Sequence, residues 1–278
     1  MSKETFVFDH DGTLTDSEKL DVDYYAVYIA NFAKKTHLSE DSVRPFINQQ
    51  RYELLAHPEL YGWKNEDGFV VAPATADPYV FMYVAARRAL GDMRSANIPR
   101  IPDIYDEALF FKELLYESYP LVGSHYKPEA ARMIEELLPF GKLVIVSNSK
   151  RVNLLGKLTP FLESHQISSD AIEVIGDAQK NVINPHWERV PQTTRFPGLE
   201  RDVLLRREIY GNIVLKFGNH PYYVVGDSAE LDLVTPQALQ FRTVLAQGPF
   251  TPTWEVQAMN TTPTLEALTQ LTIKELGK

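Results

Sequence analysis

Short apolar runs alternate along this chain with longer segments of helical periodicity. The first run, Phe-Val-Phe at residues 6–8, is too short for a helix and stops at Asp9, so it predicts a buried strand. Further apolar runs recur in the second half of the chain, with helical patterns between them. They cover residues 143–146, 172–175, 203–205, 222–225 and 243–245. This alternation predicts an α/β protein, with a Rossmann-like parallel sheet and helices on both faces.

The segment between the first two strands has a different pattern. Apolar residues recur at three- and four-residue steps from residue 22 to residue 32, which is typical of an amphipathic helix. Further helical patterns cover 39–56, 78–90 and 103–116, whereas 65–77 contains Gly and Pro and is predicted to be a loop. We therefore predict an inserted α-helical cap domain at residues 17–120. The core domain would comprise residues 1–16 and 121–278.

The amino-acid composition argues against several classes of protein but does not identify a function. The 278 residues are 44% hydrophobic and carry a net charge of −9, so nucleic acid is not an expected partner. There is no cysteine, which excludes disulfides, thiolate nucleophiles and cysteine zinc sites. No apolar stretch approaches the roughly 18 residues of a membrane span, and no secretory signal is apparent. We expect a soluble, cytoplasmic protein with no membrane partner, whose oligomeric state the sequence leaves open.

Polar residues follow three of the predicted strands directly. Asp9-His10-Asp11-Gly12-Thr13 comes after the first strand, Ser147-Asn148 after the second, and Gly226-Asp227, with Asp232 nearby, after a later one. In a parallel sheet the active site lies outside the carboxyl ends of the strands. We therefore expect these side chains to converge at one edge of the sheet.

These motifs resemble those of the haloacid dehalogenase superfamily, most of whose members are phosphatases. The resemblance covers the core motifs, and the insert lies where that superfamily often carries a helical cap. It implies that Asp9 is the nucleophile, that Asp11 is the general acid and base, and that Ser147 contacts the transferring phosphoryl group. It also implies a Mg²⁺ ion held by Asp9, Asp227 and the backbone carbonyl of Asp11, with help from Asp232.

The residue types suit this chemistry for physical reasons. A carboxylate nucleophile is repelled by an anionic phosphoryl group, and a hard cation bound by oxygen ligands offsets that repulsion. Attack by the carboxylate gives an acyl phosphate, which divides one difficult step into two. Backbone N–H groups of the turn at Asp11 and Gly12 can hold the phosphoryl oxygens. Thr13 and Asn148 are predicted as further phosphate contacts.

A basic side chain should also face the phosphoryl oxygens. Superfamily members often carry it in a Lys-Pro pair between the Ser/Thr strand and the Gly-Asp strand, and that interval contains no such pair here. Arg207, just before a predicted helix, is the preferred candidate for both a catalytic and a phosphate-binding role. The alternatives are Arg206, Lys180 and Lys216. His10, between the two acids, is either a packing residue or a group that tunes Asp9.

Three functions remain open at this point. The first is a Mg²⁺-dependent phosphatase that hydrolyses a small phosphorylated metabolite through an aspartyl-phosphate intermediate. The second is a phosphomutase or other phosphotransferase of the same superfamily, and the third is a non-catalytic protein that binds a phosphorylated ligand. Carbon–halogen hydrolysis is disfavoured, because relatives with that activity lack an acid at the place of Asp11. The sequence does not identify the substrate.

Overall fold

The computed structural model describes residues 4–65, 67–96, 98, 104, 106–217, 223–262 and 264–277. The strands of this part of the chain are β1 (Glu4–Phe8), β2 (Gly62–Lys64), β3 (Val70–Pro73), β4 (Gly141–Val146), β5 (Ile172–Ile175), β6 (Thr193–Thr194), β7 (Val203–Leu204), β8 (Tyr223–Gly226), β9 (Thr243–Ala246) and β10 (Thr261–Thr262). Its α-helices are α1 (Ser17–Thr36), α2 (Glu40–Ala56), α3 (Pro78–Ser95), α4 (Glu107–Ser118), α5 (Ala130–Leu137), α6 (Arg151–Ser164), α7 (Glu208–Leu215), α8 (Val234–Ala238), α9 (Thr253–Ala258) and α10 (Leu265–Leu276).

Six strands form one parallel sheet in the order β10-β9-β8-β1-β4-β5. The predicted α/β class is therefore confirmed. The apolar run at 203–205 is an exception, because β7 pairs with β6 in a separate antiparallel ribbon. A short apolar run predicts a strand but does not specify its partner. Tyr222, in the predicted strand 222–225, lies outside the described residues.

Side chains of the central strands alternate between two hydrophobic cores. Phe6 and Phe8 of β1 pack into one core with residues of α5, α6 and α10. Val7, between them, packs into the other core with residues of α7, α8 and α9. Because successive side chains of a strand point to opposite faces, both faces of the sheet are buried under helices. This accounts for the continuous apolar runs in the sequence.

The chain divides into two compact units. The core unit comprises residues 1–16, 64–72 and 126–278, and the helical unit comprises residues 17–63 and 73–125. The predicted insert ends at residue 120, whereas the helical unit extends five residues further, to residue 125. A short stretch inside the predicted insert, residues 64–72, belongs to the core unit. That stretch includes most of β3, where Val71 and Ala72 are fully buried. The prediction of a loop over 65–77 is therefore wrong at the Val-Val-Ala run, which forms a strand in which Val71 and Ala72 are buried.

The helical unit packs α1 to α4 around an aromatic core of its own. Tyr24, Tyr28 and Phe32 of α1 are buried there together with Phe111 of α4. Helix α3 begins after Asp77, whose side chain accepts hydrogen bonds from the backbone of Tyr79 and Val80, as expected at a helix N-cap. Of the helix predicted at 103–116, residues 103 and 105 lie outside the described residues, and α4 begins at Glu107. Among the helices described, none has the length and apolar character needed to cross a membrane.

Candidate active site

Asp9 lies at the carboxyl end of β1, in the core unit. Its backbone N–H donates to the carbonyl of Val225 at 2.8 Å, so β1 and its neighbour β8 end side by side. The chain then turns sharply at Gly12, whose φ is +83°. The N–H of Gly12 donates to Thr15 Oγ1 at 2.8 Å. The turn therefore keeps the Asp9 carboxylate at the edge of the sheet, where it is 8% exposed.

Two further carboxylates join Asp9 at this edge. Ligand oxygens of Asp9, Asp227 and Asp232 lie within 4.8 Å of one another. Asp227 directly follows β8. Asp232 lies in a short π-helical turn, Ala229–Leu233, and its Oδ2 accepts a hydrogen bond from the N–H of Ser228 at 3.1 Å. Burial raises the pKa of Asp9 to about 7, with Lys180 opposing the rise and Asp232 and Asp11 adding to it. Burial and the nearby Asp9 charge also hold the pKa of Asp227 well above its usual range.

Lys180, a runner-up among the basic residues suggested by the sequence, forms ion pairs with two of these carboxylates. Its Nζ donates to Asp9 Oδ1 at 2.5 Å and to Asp232 Oδ1 at 2.7 Å, and the side chain is 2% exposed. Burial lowers the pKa of Lys180, but Asp232 and Asp9 outweigh burial and raise it above its ordinary value. The ammonium group is therefore charged.

Arg207 does not occupy the place predicted for it. Its guanidinium is fully buried and donates to the backbone carbonyls of Lys180 and Val71. Of the other candidates, Arg206 binds the carbonyls of Pro185 and Val190, and Lys216 follows the C-terminal end of α7. The preference for Arg207 as the basic contact of the acidic cluster is therefore corrected in favour of Lys180. The preference for a basic residue just before a helix was misleading, because Lys180 lies in an irregular loop.

Asp11 lies beside the cluster in a polar environment of a different kind. The hydroxyls of Ser147 and Ser149 both donate to its Oδ2 at 3.2 Å, and His10 Nδ1 lies 3.2 Å from its Oδ1. Burial would raise the pKa of Asp11, but His10, Lys157 and the Ser147 hydroxyl together hold it well below its usual range. Ser147 was predicted as a site residue, whereas Ser149 was not.

The comparisons with known proteins agree with this arrangement at the level of the fold. A candidate β-phosphoglucomutase from Thermotoga maritima is 15% identical to this chain, covers 98% of it and 99% of its own length, and gives a TM-score of 0.51. A conserved haloacid dehalogenase-like protein of unknown function from Agrobacterium tumefaciens is also 15% identical, with 100% of both chains covered and a TM-score of 0.50. The chain has the haloacid dehalogenase fold. The sequence itself matches no family model and no curated protein, so the fold is recognised from the structure and the short motifs alone.

A magnesium ion fits the acidic cluster of this haloacid dehalogenase fold. The three carboxylates offer only oxygen atoms, which Mg²⁺ prefers. Loss of solvation is the largest cause of the raised pKa of Asp9 and of Asp227, and the charges of the neighbouring acids add to it, so a bound cation would relieve an existing repulsion. Asp9, Asp227 and Asp232 are the residues that would hold the ion. The Asp11 carboxylate is not one of the clustered groups, and its backbone carbonyl stays a predicted ligand.

Two of the remaining predicted residues, Thr13 and Asn148, contact residues of the site. Thr13 Oγ1 lies 3.5 Å from Asp227 Oδ1, at the limit of a hydrogen bond. Asn148 Oδ1 accepts the backbone N–H of Lys180 at 2.7 Å, so this side chain holds the loop that carries the lysine. Whether Gly12, Thr13, Ser147 and Asn148 contact a phosphate stays a prediction.

Lys127 belongs to the site and was not predicted. Its Nζ donates to the carbonyl of Gly12 at 2.7 Å. Burial lowers the pKa of Lys127, while the charges of Asp227, Glu129, Asp16 and Asp9 oppose that change. Lys127-Pro128 is a Lys-Pro pair just before α5, so a search that was not confined to the interval between the Ser and Asp strands would have found it.

Proposed function

We propose that this protein is a Mg²⁺-dependent phosphatase that hydrolyses a small-molecule phosphomonoester through an aspartyl-phosphate intermediate on Asp9. One observation carries the proposal. The Asp9 carboxylate, at a strand end, lies next to a buried ammonium group, Lys180, and to two further acids, Asp227 and Asp232, that could hold a divalent cation. When bound, Mg²⁺ would neutralise charge on the phosphoryl oxygens and on the carboxylates.

Asp9 acts as the nucleophile in this mechanism. Its carboxylate oxygen attacks the phosphorus of the ester, the bond to the leaving oxygen breaks, and the phosphoryl group becomes attached to Asp9. Lys180 Nζ lies 2.5 Å from Asp9 Oδ1. The ammonium group can therefore stabilise the negative charge on the phosphoryl oxygens during the transfer. In the second step, water attacks the same phosphorus, which releases inorganic phosphate and restores the carboxylate.

Asp11 handles the proton in both steps. Before substrate binds it is ionised, because its pKa is held low, and an ionised carboxylate is ready to deprotonate water in the second step. In the first step it must carry a proton for the leaving oxygen. A phosphoryl dianion placed beside Asp11 disfavours its charged form, so the proton would be taken up together with the substrate.

The first test is hydrolysis of a generic aryl phosphate with and without Mg²⁺. We expect phosphate release that EDTA abolishes and that Asp9→Asn reduces by at least about 10³-fold, because loss of a nucleophile removes the covalent route. Asp170→Asn, on the exposed surface of the same unit, serves as the matched control and should retain full activity. Turnover that is insensitive to EDTA, or that survives in Asp9→Asn, would contradict the proposal.

A panel of phosphorylated metabolites then separates the alternatives. A phosphatase releases inorganic phosphate from at least one member, whereas a mutase or transferase moves the group to a second acceptor with little net release. Binding of a panel member without any turnover would favour the non-catalytic function. The substrate that gives the highest kcat/KM would identify the physiological class.

A further inference from the structure

The loop that carries Lys180 is held from both sides by other side chains. Its backbone N–H donates to Asn148 Oδ1 at 2.7 Å, and its backbone carbonyl accepts from Arg207. Asp177 and Gln179, just before it, both have positive φ, at 54° and 48°, a conformation that non-glycine residues adopt only when their surroundings enforce it. The lysine is therefore positioned by contacts outside its own loop.

Arg207 contacts this loop through its guanidinium group. Its guanidinium is 0% exposed, one Nη binds the carbonyl of Lys180, and the other donates to the carbonyl of Val71 at 2.7 Å. Its Nε has no hydrogen-bond partner among the described residues. A guanidinium group presents donors in a planar fork, so Arg207 can span two carbonyls from different segments at once.

The start of α7 also contacts Asp232, which is the second carboxylate that Lys180 binds. Tyr210, one turn after Arg207, is buried and donates through its hydroxyl to the backbone carbonyl of Asp232 at 2.7 Å. The Lys180 ammonium also lies 5.4 Å from the centre of the Tyr210 ring. Residues 207–210 therefore contact the chain at both Lys180 and Asp232, the two residues joined by the ion pair next to Asp9.

Burying this guanidinium has a cost, which argues that it serves a purpose. Burial lowers the pKa of Arg207 to about 10, with Glu230, Asp232 and Tyr210 opposing the decrease. A buried cation bound mainly to carbonyls is a poor source of stability compared with an apolar side chain of the same size. A positioning role explains its presence better than a contribution to the core does.

We propose that Arg207 is a positioning residue that fixes Lys180 against Asp9 and ties the Lys180 loop to β3. This inference rests on the proposed phosphatase function, in which Lys180 faces the phosphoryl group. Val71 lies in the stretch of the insert that packs with the core unit. Arg207 therefore links the catalytic lysine to the short segment through which the chain runs to and from the helical unit.

The test is a double-mutant cycle between Arg207→Met and Lys180→Met, followed by kcat/KM on the best substrate. Arg207→Met alone should lower kcat/KM about 10- to 100-fold, as residues that orient a catalytic group typically do. In the Lys180→Met background, the same substitution should change kcat/KM by less than about 2-fold, because the group it positions is gone. Effects that multiply in the double variant would overturn the inference, as would full activity of Arg207→Met.

Hydrogen exchange provides a readout that does not depend on turnover. Amides of residues 176–184 should exchange at least about 10-fold faster in Arg207→Met, while those of β1 should keep their wild-type rates. Unchanged exchange in the loop would contradict a positioning role. If the wild-type protein has no phosphatase activity, the proposed function fails, and this measurement alone decides whether Arg207 holds the loop.

Two further variants test whether the effect is specific to Arg207 and whether it requires the guanidinium group. Arg206→Met is the matched control, because Arg206 also binds two backbone carbonyls, at Pro185 and Val190, and should leave activity and loop exchange unchanged. Arg207→Lys keeps the charge without the fork, and it serves if the methionine variant does not fold. It should show an intermediate loss of activity and intermediate exchange, whereas wild-type behaviour of Arg207→Lys would show that the fork is not needed.

Discussion

Gly12 shows how a single residue decides the shape of the acidic cluster. Its φ of +83° is one that L-residues adopt only at a cost of about 1–2 kcal/mol. A Cβ atom at this position would lie 1.9 Å from Asp227 Oδ2. The absence of a side chain at Gly12 therefore lets the first loop and the Asp227 carboxylate approach each other.

We accordingly expect Gly12→Ala to damage both stability and activity. The free energy of unfolding should fall by about 1–3 kcal/mol, and kcat/KM should fall further than this loss explains, because Asp227 must move away. Urea denaturation and phosphate release measure the two effects. Gly91→Ala is the control, since a Cβ there meets nothing within 4 Å and alanine favours the interior of helix α3. Normal activity of Gly12→Ala would show that Asp227 is not needed where the structure has it.

The residues of the site differ in how far the sequence predicted them. Asp9 and Asp227 directly follow strands, and the carboxyl ends of parallel strands lie at the same edge of the sheet, so local pattern was enough to bring them together. Asp232 lies six residues after β8, and its role was implied by the family resemblance. Lys180 lies in a loop without periodicity, and its position depends on Asn148 and Arg207, which are distant in the sequence. Pattern alone contains no such long-range information. For the same reason it did not assign Arg207 to the carbonyls that the side chain binds.

At the scale of elements, the order of helices and strands was predictable, and several of their contacts were not. Apolar runs of three or four residues predicted all but one of the strands of the parallel sheet, because burial on both faces leaves a continuous signal. The missing strand, β10, is Thr261–Thr262, which has no apolar signal. β3 was missed because Gly and Pro residues around it suggested a loop, although its own side chains are buried.

The π-helical turn that carries Asp232 is hydrogen-bonded to a buried acid from another element. Glu255, in α9, accepts hydrogen bonds from the N–H groups of Ala229 at 2.9 Å and Glu230 at 3.3 Å. Glu230 is itself buried and paired with Arg201 at 2.6 Å. Burial raises the pKa of Glu255 to about 8, and the charge of Glu230 adds to the rise. We therefore expect the stability of this turn to depend on pH through Glu255, which is not in the acidic cluster.

This shift has a definite sign. In the unfolded chain Glu255 loses its proton near the ordinary glutamate pKa of 4.5, whereas in the folded protein it keeps the proton until about pH 8. The unfolded state therefore binds fewer protons in between, and the contribution of Glu255 to stability falls as pH rises from about 4.5 to 8. Glu255→Gln cannot ionise and keeps a carbonyl acceptor for the turn. We expect it to gain stability relative to wild type as pH rises.

Urea denaturation at pH 5.5 and pH 8.5 would measure this gain. The difference in unfolding free energy between Glu255→Gln and wild type should move in favour of the variant at the higher pH. Glu266→Gln is the control, because that side chain is 58% exposed and its surface ion pair contributes little. If the two variants show the same dependence on pH, Glu255 is not the buried proton-holding group inferred from the structure.

At the scale of the whole molecule, a metal ion bound at the acidic cluster would stabilise one unit. All the residues that would hold Mg²⁺ lie in the core unit. A ligand that binds only the folded state stabilises it by about 2.7 kcal/mol at a concentration of 100 times its Kd. We therefore expect Mg²⁺ to raise the melting temperature of the core unit by several degrees. Tryptophan fluorescence of Trp63→Phe can follow this, because the remaining Trp187 and Trp254 both belong to the core unit.

Asp227→Asn should distinguish the effect of the clustered acids on stability from their capacity to bind a metal ion. Without metal, the variant should melt at a higher temperature than the protein that retains Asp227, because burial and the charge of Asp9 hold the pKa of Asp227 well above its usual range and an amide carries no charge to bury. With Mg²⁺, its melting temperature should not change, because a ligand oxygen has lost its charge. The same substitution would thus stabilise the fold and abolish the metal response, an exchange of stability for function that is common at active sites. If Asp227→Asn is less stable without metal, Asp227 belongs to a stabilising network, and if its melting temperature still rises with Mg²⁺, Asp227 is not a ligand that the ion needs.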